Sequence, residues 1–153
     1  MVPMKKVSSS LALKLALVIA LWDYSSIFCH AEINIFGVTK HVYVINSLSA
    51  GNTLSVHCKS KDDDLGQHDI PFNGVYEWKF KMQAFERTLY WCNAWWYDHH
   101  KLVSRSFEIF RAEDVDRSCG PDHKLCHRKF QWDGIYFEKE DGTFAKKFDW
   151  VRK

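Results

Sequence analysis

Three consecutive carboxylates, Asp62, Asp63 and Asp64, follow the alternating run Val56-His57-Cys58-Lys59-Ser60-Lys61 and close on Leu65-Gly66. Hard cations such as calcium take carboxylate and carbonyl oxygens, so this cluster is the first place to look for metal chemistry. Its spacing argues against that use, because a calcium loop spreads its ligands over about twelve residues. The expected reading is an acidic turn at the end of a strand. Its Asp side chains would bond nearby backbone amides, and Gly66 would supply backbone freedom. Cys119, His123, Cys126 and His127 form a second cluster of metal-ligating types, all within nine residues. Zinc sites instead pair two close ligands with two more about a dozen residues away. These cysteines are therefore expected in disulfides, and neither a metal nor another cofactor is expected.

Catalytic patterns are equally sparse. The chain has no Gly-x-Ser-x-Gly elbow, no His-Glu-x-x-His pair and no phosphate-cradling glycine loop. His57 beside Cys58 is no nucleophile–base pair if Cys58 is oxidised. The chain is therefore not expected to be an enzyme. A secreted hydrolase or antimicrobial effector working through histidine acid–base chemistry is the alternative. A carbohydrate-binding module using Trp95 and Trp96 is another.

The elements that must position such residues begin after an expected signal peptide, residues 1–31. Lys5 and Lys6 precede the apolar stretch Leu11–Leu21, and Cys29-His30-Ala31 offers a small-residue cleavage site. The stretch is shorter than the about 20 residues a bilayer span needs, so no membrane insertion is expected and the product is expected to be secreted and extracellular. The remaining domain, residues 32–153, loses three of the 21 basic residues and one of the 19 acidic ones, leaving 18 of each. That zero net charge removes most support for a nucleic-acid partner, which calls for a basic surface. Four cysteines remain: Cys58, Cys92, Cys119 and Cys126. An even number in a small exported domain reads as two disulfides with three possible pairings. The favoured one is nested, Cys58–Cys126 around Cys92–Cys119.

The pattern along this domain is period two. Tyr76, Trp78, Phe80 and Met82 fall on one face of a strand, and Glu77, Lys79 and Lys81 on the other. Similar strands are expected over residues 41–46, 53–60, 87–92, 106–111, 129–132, 135–139 and 144–151. Turn signals such as Asp133-Gly134 and Asp141-Gly142 separate them. About eight short strands imply an all-β fold, a small disulfide-stapled antiparallel β-sandwich. The segment 32–39 is expected to be an arm without a partner, and 93–105 a long loop. Trp78, Trp91, Trp132 and Trp150 are expected in the core. Trp95, Trp96 and Tyr97 are three adjacent rings that cannot all point inward. With His99 and His100 they form the candidate recognition loop.

Several segments together resemble one family. They are Val42–Asn46, Leu54–Gly66 with its Asp62-Asp63-Asp64, Gly74-x-Tyr76-x-Trp78-x-Phe80, Thr88-Leu89-Tyr90-Trp91-Cys92 and Asp133-Gly134-Ile135-Tyr136. The chain resembles the plant self-incompatibility S-protein homologues from about Val42 to Trp150. The resemblance implies a secreted, disulfide-bonded sandwich acting as a recognition ligand for a cell-surface receptor. The family's founding role is a stigma-secreted signal that triggers rejection of self pollen. One departure is Arg128, where similar proteins tend to carry an aromatic; Phe130 and Trp132 are the expected substitutes. Receptor identity and oligomeric state are not legible in the sequence.

Overall fold

Alternation of inward apolar and outward polar side chains builds ten strands in a computed structural model that describes residues 37–82 and 87–153. These are β1 (Val38–Ser47), β2 (Leu54–Lys59), β3 (Asp64–Ile70), β4 (Val75–Met82), β5 (Leu89–Asp98), β6 (Lys101–Arg111), β7 (Leu125–Gln131), β8 (Gly134–Glu138), β9 (Phe144–Phe148) and β10 (Val151–Arg152). A 3-10 turn at Ala112–Asp114 and a one-turn helix, α1 (Val115–Ser118), interrupt them between β6 and β7. The strands form two sheets ordered β4-β1-β7-β8-β9 and β10-β6-β5-β2-β3. All pairs are antiparallel except β1 with β7, which run parallel. The expected signal peptide lies outside the described residues.

The sandwich has ten strands where about eight were expected, for two reasons. The strand β3 reads Asp-Leu-Gly-Gln-His-Asp-Ile, which is polar because it is the edge of its sheet. A bulge opposite Cys58 also breaks its alternation. There Gly66 takes φ +73°, a left-handed conformation that favours glycine. The expected strand 144–151 is instead β9 and β10, which pair with different sheets. Val38 and Thr39, expected in an unpartnered arm, pair with Met82 and Lys81 on β4.

Between the sheets lie Val42, Val44, Trp78, Phe130, Ile135 and Phe137 from one side and Leu54, Val56, Tyr90, Ala94, Trp96 and Val103 from the other. Phe80 meets Tyr90 and Phe110 at 4.8 Å, the latter edge-on. Each fully buried aliphatic or aromatic side chain contributes roughly 1.5–3 kcal/mol. Gly134 lets β8 pass close to β9: a Cβ there would stand 2.7 Å from the Phe148 carbonyl oxygen.

The disulfides join Cys58 to Cys92 and Cys119 to Cys126, which corrects the nested pairing. The reason is register. Cys58 and Cys92 sit directly opposite each other on adjacent strands β2 and β5, with Cα atoms 4.0 Å apart. Cys126 is on β7 of the other sheet and meets Cys119 just after α1. The sequence separations are 34 and 7 residues, so loop entropy assigns the bridges about 3.8 and 2.4 kcal/mol.

Arg128 is fully buried on the inward face of β7. Its Nε donates to the Ile109 carbonyl at 3.1 Å, and Nη1 donates to the carbonyls of Ser118 (2.5 Å) and His127 (3.1 Å). The guanidinium lies 3.9 Å from the centre of the Phe137 ring. A planar cation thus occupies an aromatic's place by stacking on another aromatic. Of the expected substitutes, Phe130 is in the core but Trp132 is 52% exposed on a turn. Burial pushes the guanidinium down to about 9, against the opposing pull of the Glu138 carboxylate, so it remains charged at neutral pH.

Replacing Cys58 and Cys92 by Ser should cost about 1.4 kcal/mol more in urea unfolding than replacing Cys119 and Cys126, if loop entropy dominates. An equal loss from both would contradict that ranking. Arg128→Ala should cost roughly 3–5 kcal/mol, because it leaves buried carbonyls unpaired and opens a cavity. Chemical denaturation measures this, and a loss under about 1 kcal/mol would show that the carbonyls of Ile109, Ser118 and His127 do not depend on Arg128.

Candidate functional site

The acidic segment disperses its carboxylates. Ser60 N donates to the Asp63 carbonyl at 2.8 Å, closing the turn, and the Ser60 hydroxyl accepts the amides of Asp62 and Asp63. Asp63 Oδ2 accepts the Tyr90 hydroxyl at 3.3 Å. Asp64 Oδ1 accepts the Gly66 amide at 2.9 Å and meets His57 Nε2 at 2.5 Å. Those two bonds, the amide first, hold the Asp64 carboxyl below the usual carboxylate range. The Asp63 and Asp64 carboxylates therefore serve separate partners. The expected bonding of an aspartate to a nearby amide holds for Asp64, while the Ser60 hydroxyl satisfies the amides of Asp62 and Asp63.

The recognition-loop candidates divide differently. Residues 93–105, expected to be a loop, are the facing halves of the β5–β6 hairpin. Period two then sorts the rings. Trp96 is 1% exposed and packs edge-on against Trp150 at 6.3 Å, so it belongs to the core and not to a recognition surface. Trp95 stands half-buried on the outer face, and Tyr97 beside it is exposed. His99 and His100 are the two residues of the turn, between paired Asp98 and Lys101. Their φ angles are +48° and +68°. This is the geometry of a two-residue primed hairpin turn, for which Asn-Gly is the preferred sequence. Side-chain-bearing residues held there cost on the order of 1–3 kcal/mol each.

Asp98 anchors that turn. Its Oδ1 meets His99 Nδ1 at 2.8 Å, and its Oδ2 accepts Arg152 Nη1 at 2.9 Å. The His99 ring, and after it the Arg152 charge, hold the Asp98 carboxyl below the ordinary range. Arg152 also donates to the Trp132 carbonyl at 2.6 Å and lies 4.1 Å over the Trp132 ring. One guanidinium thus ties together the β5–β6 turn, the β7–β8 turn and the C-terminal strand. Beside it runs a groove of about 440 Å³ lined by Lys101, Trp132, Arg152 and Lys153 among others.

Asn46 joins the other turns at this end. Its amide donates to the carbonyls of Asn52 (2.9 Å) and Ile70 (2.8 Å), and its oxygen accepts the Leu48 amide at 3.0 Å. The β1–β2 and β3–β4 turns therefore share the end with those of β5–β6 and β7–β8. Every large apolar side chain left exposed among the described residues, Phe72, Val75, Tyr97, Trp132 and Val151, lies on this end or on the strand residues next to it.

The sequence profile described as plant self-incompatibility protein S1 matches residues 41–150. The chain belongs to that family. It is 34% identical to S-protein homolog 5 of Arabidopsis thaliana over 109 residues, covering 71% of this chain and 77% of that protein. It is 33% identical to S-protein homolog 29 of the same plant over 121 residues, covering 79% and 80%. A solved structure of SPH (self-incompatibility protein homologue) proteins, described as a widespread family of small, highly stable, secreted proteins from plants, is similar with a TM-score of 0.56. That match covers 74% of this chain and 96% of the other at 22% identity, and it establishes the shared fold.

Within this family member, sequence reasoning missed Trp132, Asp98 and Arg152. Extending the inward series Cys126, Arg128, Phe130 by one more step places Trp132 in the core. The strand stops at Gln131, and Trp132-Asp133 form the turn. Replacing His99-His100 with Asn-Gly should relieve the turn and raise stability by about 1 kcal/mol, a Tm gain of roughly 4 °C. Thermal unfolding monitored by circular dichroism checks this. A lower Tm would show that the imidazoles support the fold.

Proposed function

We propose that this protein is a secreted recognition ligand that presents its turn end to a cell-surface receptor. The observation carrying this reading is the gathering of Phe72, Val75, Tyr97, Trp132 and Val151 at one end, alongside two histidines in strained backbone conformations. Trp, Tyr and Arg are the residues that most often dominate binding energy at protein interfaces, and exposed apolar patches mark such surfaces. Arg152 fixes the Trp132 ring from above, so little side-chain freedom is lost on docking. The described secretion of a structurally similar protein and the family's link to self-incompatibility support export and an intercellular role. Residues 1–31 serve as the export signal in this reading.

Tyr97→Ser and Trp132→Ser alter exposed rings and should leave the fold intact. Each should weaken binding of labelled protein to plant plasma-membrane preparations by about 2 kcal/mol, roughly thirtyfold. Binding retained at full strength in the double variant would sink the assignment of this end as the contact surface.

A further inference from the structure

The strand β5 is the central strand of the second sheet, and its outward side chains are Trp91, Asn93, Trp95 and Tyr97. The register places neighbours across the sheet in rows. Trp95 stands between Ser104 on β6 and Ser55 on β2, and Ser55 is followed by Asp69 on β3. The next row reads Ser106, Asn93, His57 and Gln67. An indole lies at the centre of this sheet face, surrounded by hydroxyl, amide and carboxylate side chains.

Those polar side chains are already set by one another. Ser106 Oγ donates to Asn93 Oδ1 at 2.6 Å, which leaves the Asn93 amide hydrogens facing outward without a partner among the described residues. Ser55 Oγ and Gln67 Nε2 both donate to Asp69 Oδ1, at 2.6 and 3.1 Å. His57 closes on Asp64 at 2.5 Å, and Arg111 closes on Glu108 at the far end of β6. Arg111 is thus neutralised by Glu108, Lys59 stands one row beyond Asn93, opposite Trp91, and the Ser55 and Gln67 bonds hold the Asp69 carboxyl below its ordinary range. A shallow groove of about 460 Å³ runs over Trp95, Tyr97, Leu102 and Ser104.

We propose that this face binds an uncharged oligosaccharide, with Trp95 as the stacking platform and Asn93, Ser55 and Ser104 as readers of sugar hydroxyls. A pyranose presents an apolar C–H face, whose positive hydrogens suit the negative face of an indole. Its rim of hydroxyls needs donors and acceptors fixed in advance, which the paired side chains supply. Charge complementarity selects the occupant. The two rows that hold Trp95 and Asn93 contain no lysine or arginine to meet an acidic glycan, and the Asp69 carboxylate repels one while accepting neutral hydroxyls. Tyr97 borders both surfaces, but Trp95, Asn93, Ser55 and Ser104 are not among the turn-end residues, so variants at those positions test this proposal apart from receptor contact.

The test is titration of the intact secreted protein with cellohexaose, mannohexaose and a xyloglucan heptasaccharide, with an oligogalacturonide as the acidic arm. Tryptophan fluorescence and NMR amide shifts provide the readout. The expected result is saturable binding of at least one neutral probe and none of the acidic one. Trp95→Ala and Asn93→Ala should each weaken it about tenfold, roughly 1.4 kcal/mol, with Trp95→Phe retaining most of the affinity. Asn93 is exposed, so its variant decides the matter if Trp95→Ala fails to fold. Absence of binding across the neutral panel, preference for the acidic probe, or affinity unchanged in Asn93→Ala would overturn the proposal.

Discussion

A guanidinium with no exposed surface needs its donors met by groups brought to it, and around Arg128 the fold is arranged to do so. The acceptors come from three places: Ile109 on β6, Ser118 at the end of α1, and His127 on its own strand. Ile109 can serve because of a bulge. Tyr90 faces Phe110 and Trp91 faces Glu108, so Ile109 has no opposite residue on β5. Its carbonyl is thereby released toward the other sheet. The short helix can serve because it stops at Ser118, and the Cys119–Cys126 bridge holds that end against β7. The bridge's smaller loop yields less chain entropy than that of Cys58–Cys92, and the bridge also keeps the Ser118 carbonyl within reach of the charge. Removing one member of a buried charged set costs more than the set contributes in total, which explains how a cation can be a structural fixture of an apolar core.

The same reasoning separates what was legible in the sequence from what was not. Alternation identified β1, β2, β4, β6, β7 and β8, because each has one face in the core and one in water. It missed β3, whose polar edge position and bulge at Gly66 leave no run of alternating apolar residues. It stopped β5 at Cys92, since the aromatic cluster Trp95-Trp96-Tyr97 hides a period-two pattern behind residues that are apolar on both faces. The disulfide pairing was not legible at all, because it depends on which strands become neighbours. Once β2 and β5 are adjacent, Cys58 and Cys92 have no alternative.

At the candidate site Tyr97, His99 and His100 are exposed as the sequence reading expects, but it assigned Trp96 and Trp132 to the wrong sides of the surface. Both errors come from one-residue phase. A strand reverses the direction of successive side chains, so two neighbouring tryptophans must part: Trp95 faces out and Trp96 in. Trp132 departs from the inward series because the strand ends one residue before it. Neither phase could be set without knowing where the turns fall, and turns are located here by Asp98, Asn46 and Ser60 bonding to chain segments far away or to neighbouring amides.

Two histidines in left-handed conformations at the β5–β6 turn then stand out against this background. The turn type is imposed by the strands: a two-residue connection matching their right-handed twist requires positive φ at both positions. Glycine and asparagine satisfy that at lower cost, and neither imidazole is buried. His99 holds Asp98, yet Asp98 already has Arg152 as a partner. The fold therefore gains little from imidazoles at these positions, while the continuous β5–β6 ladder is long enough to keep them there. Strain that the scaffold sustains without using it is the local signature on which the proposed recognition role rests. The exposed rings of Tyr97 and Trp132 on the same end mark where the proposed contacts would lie.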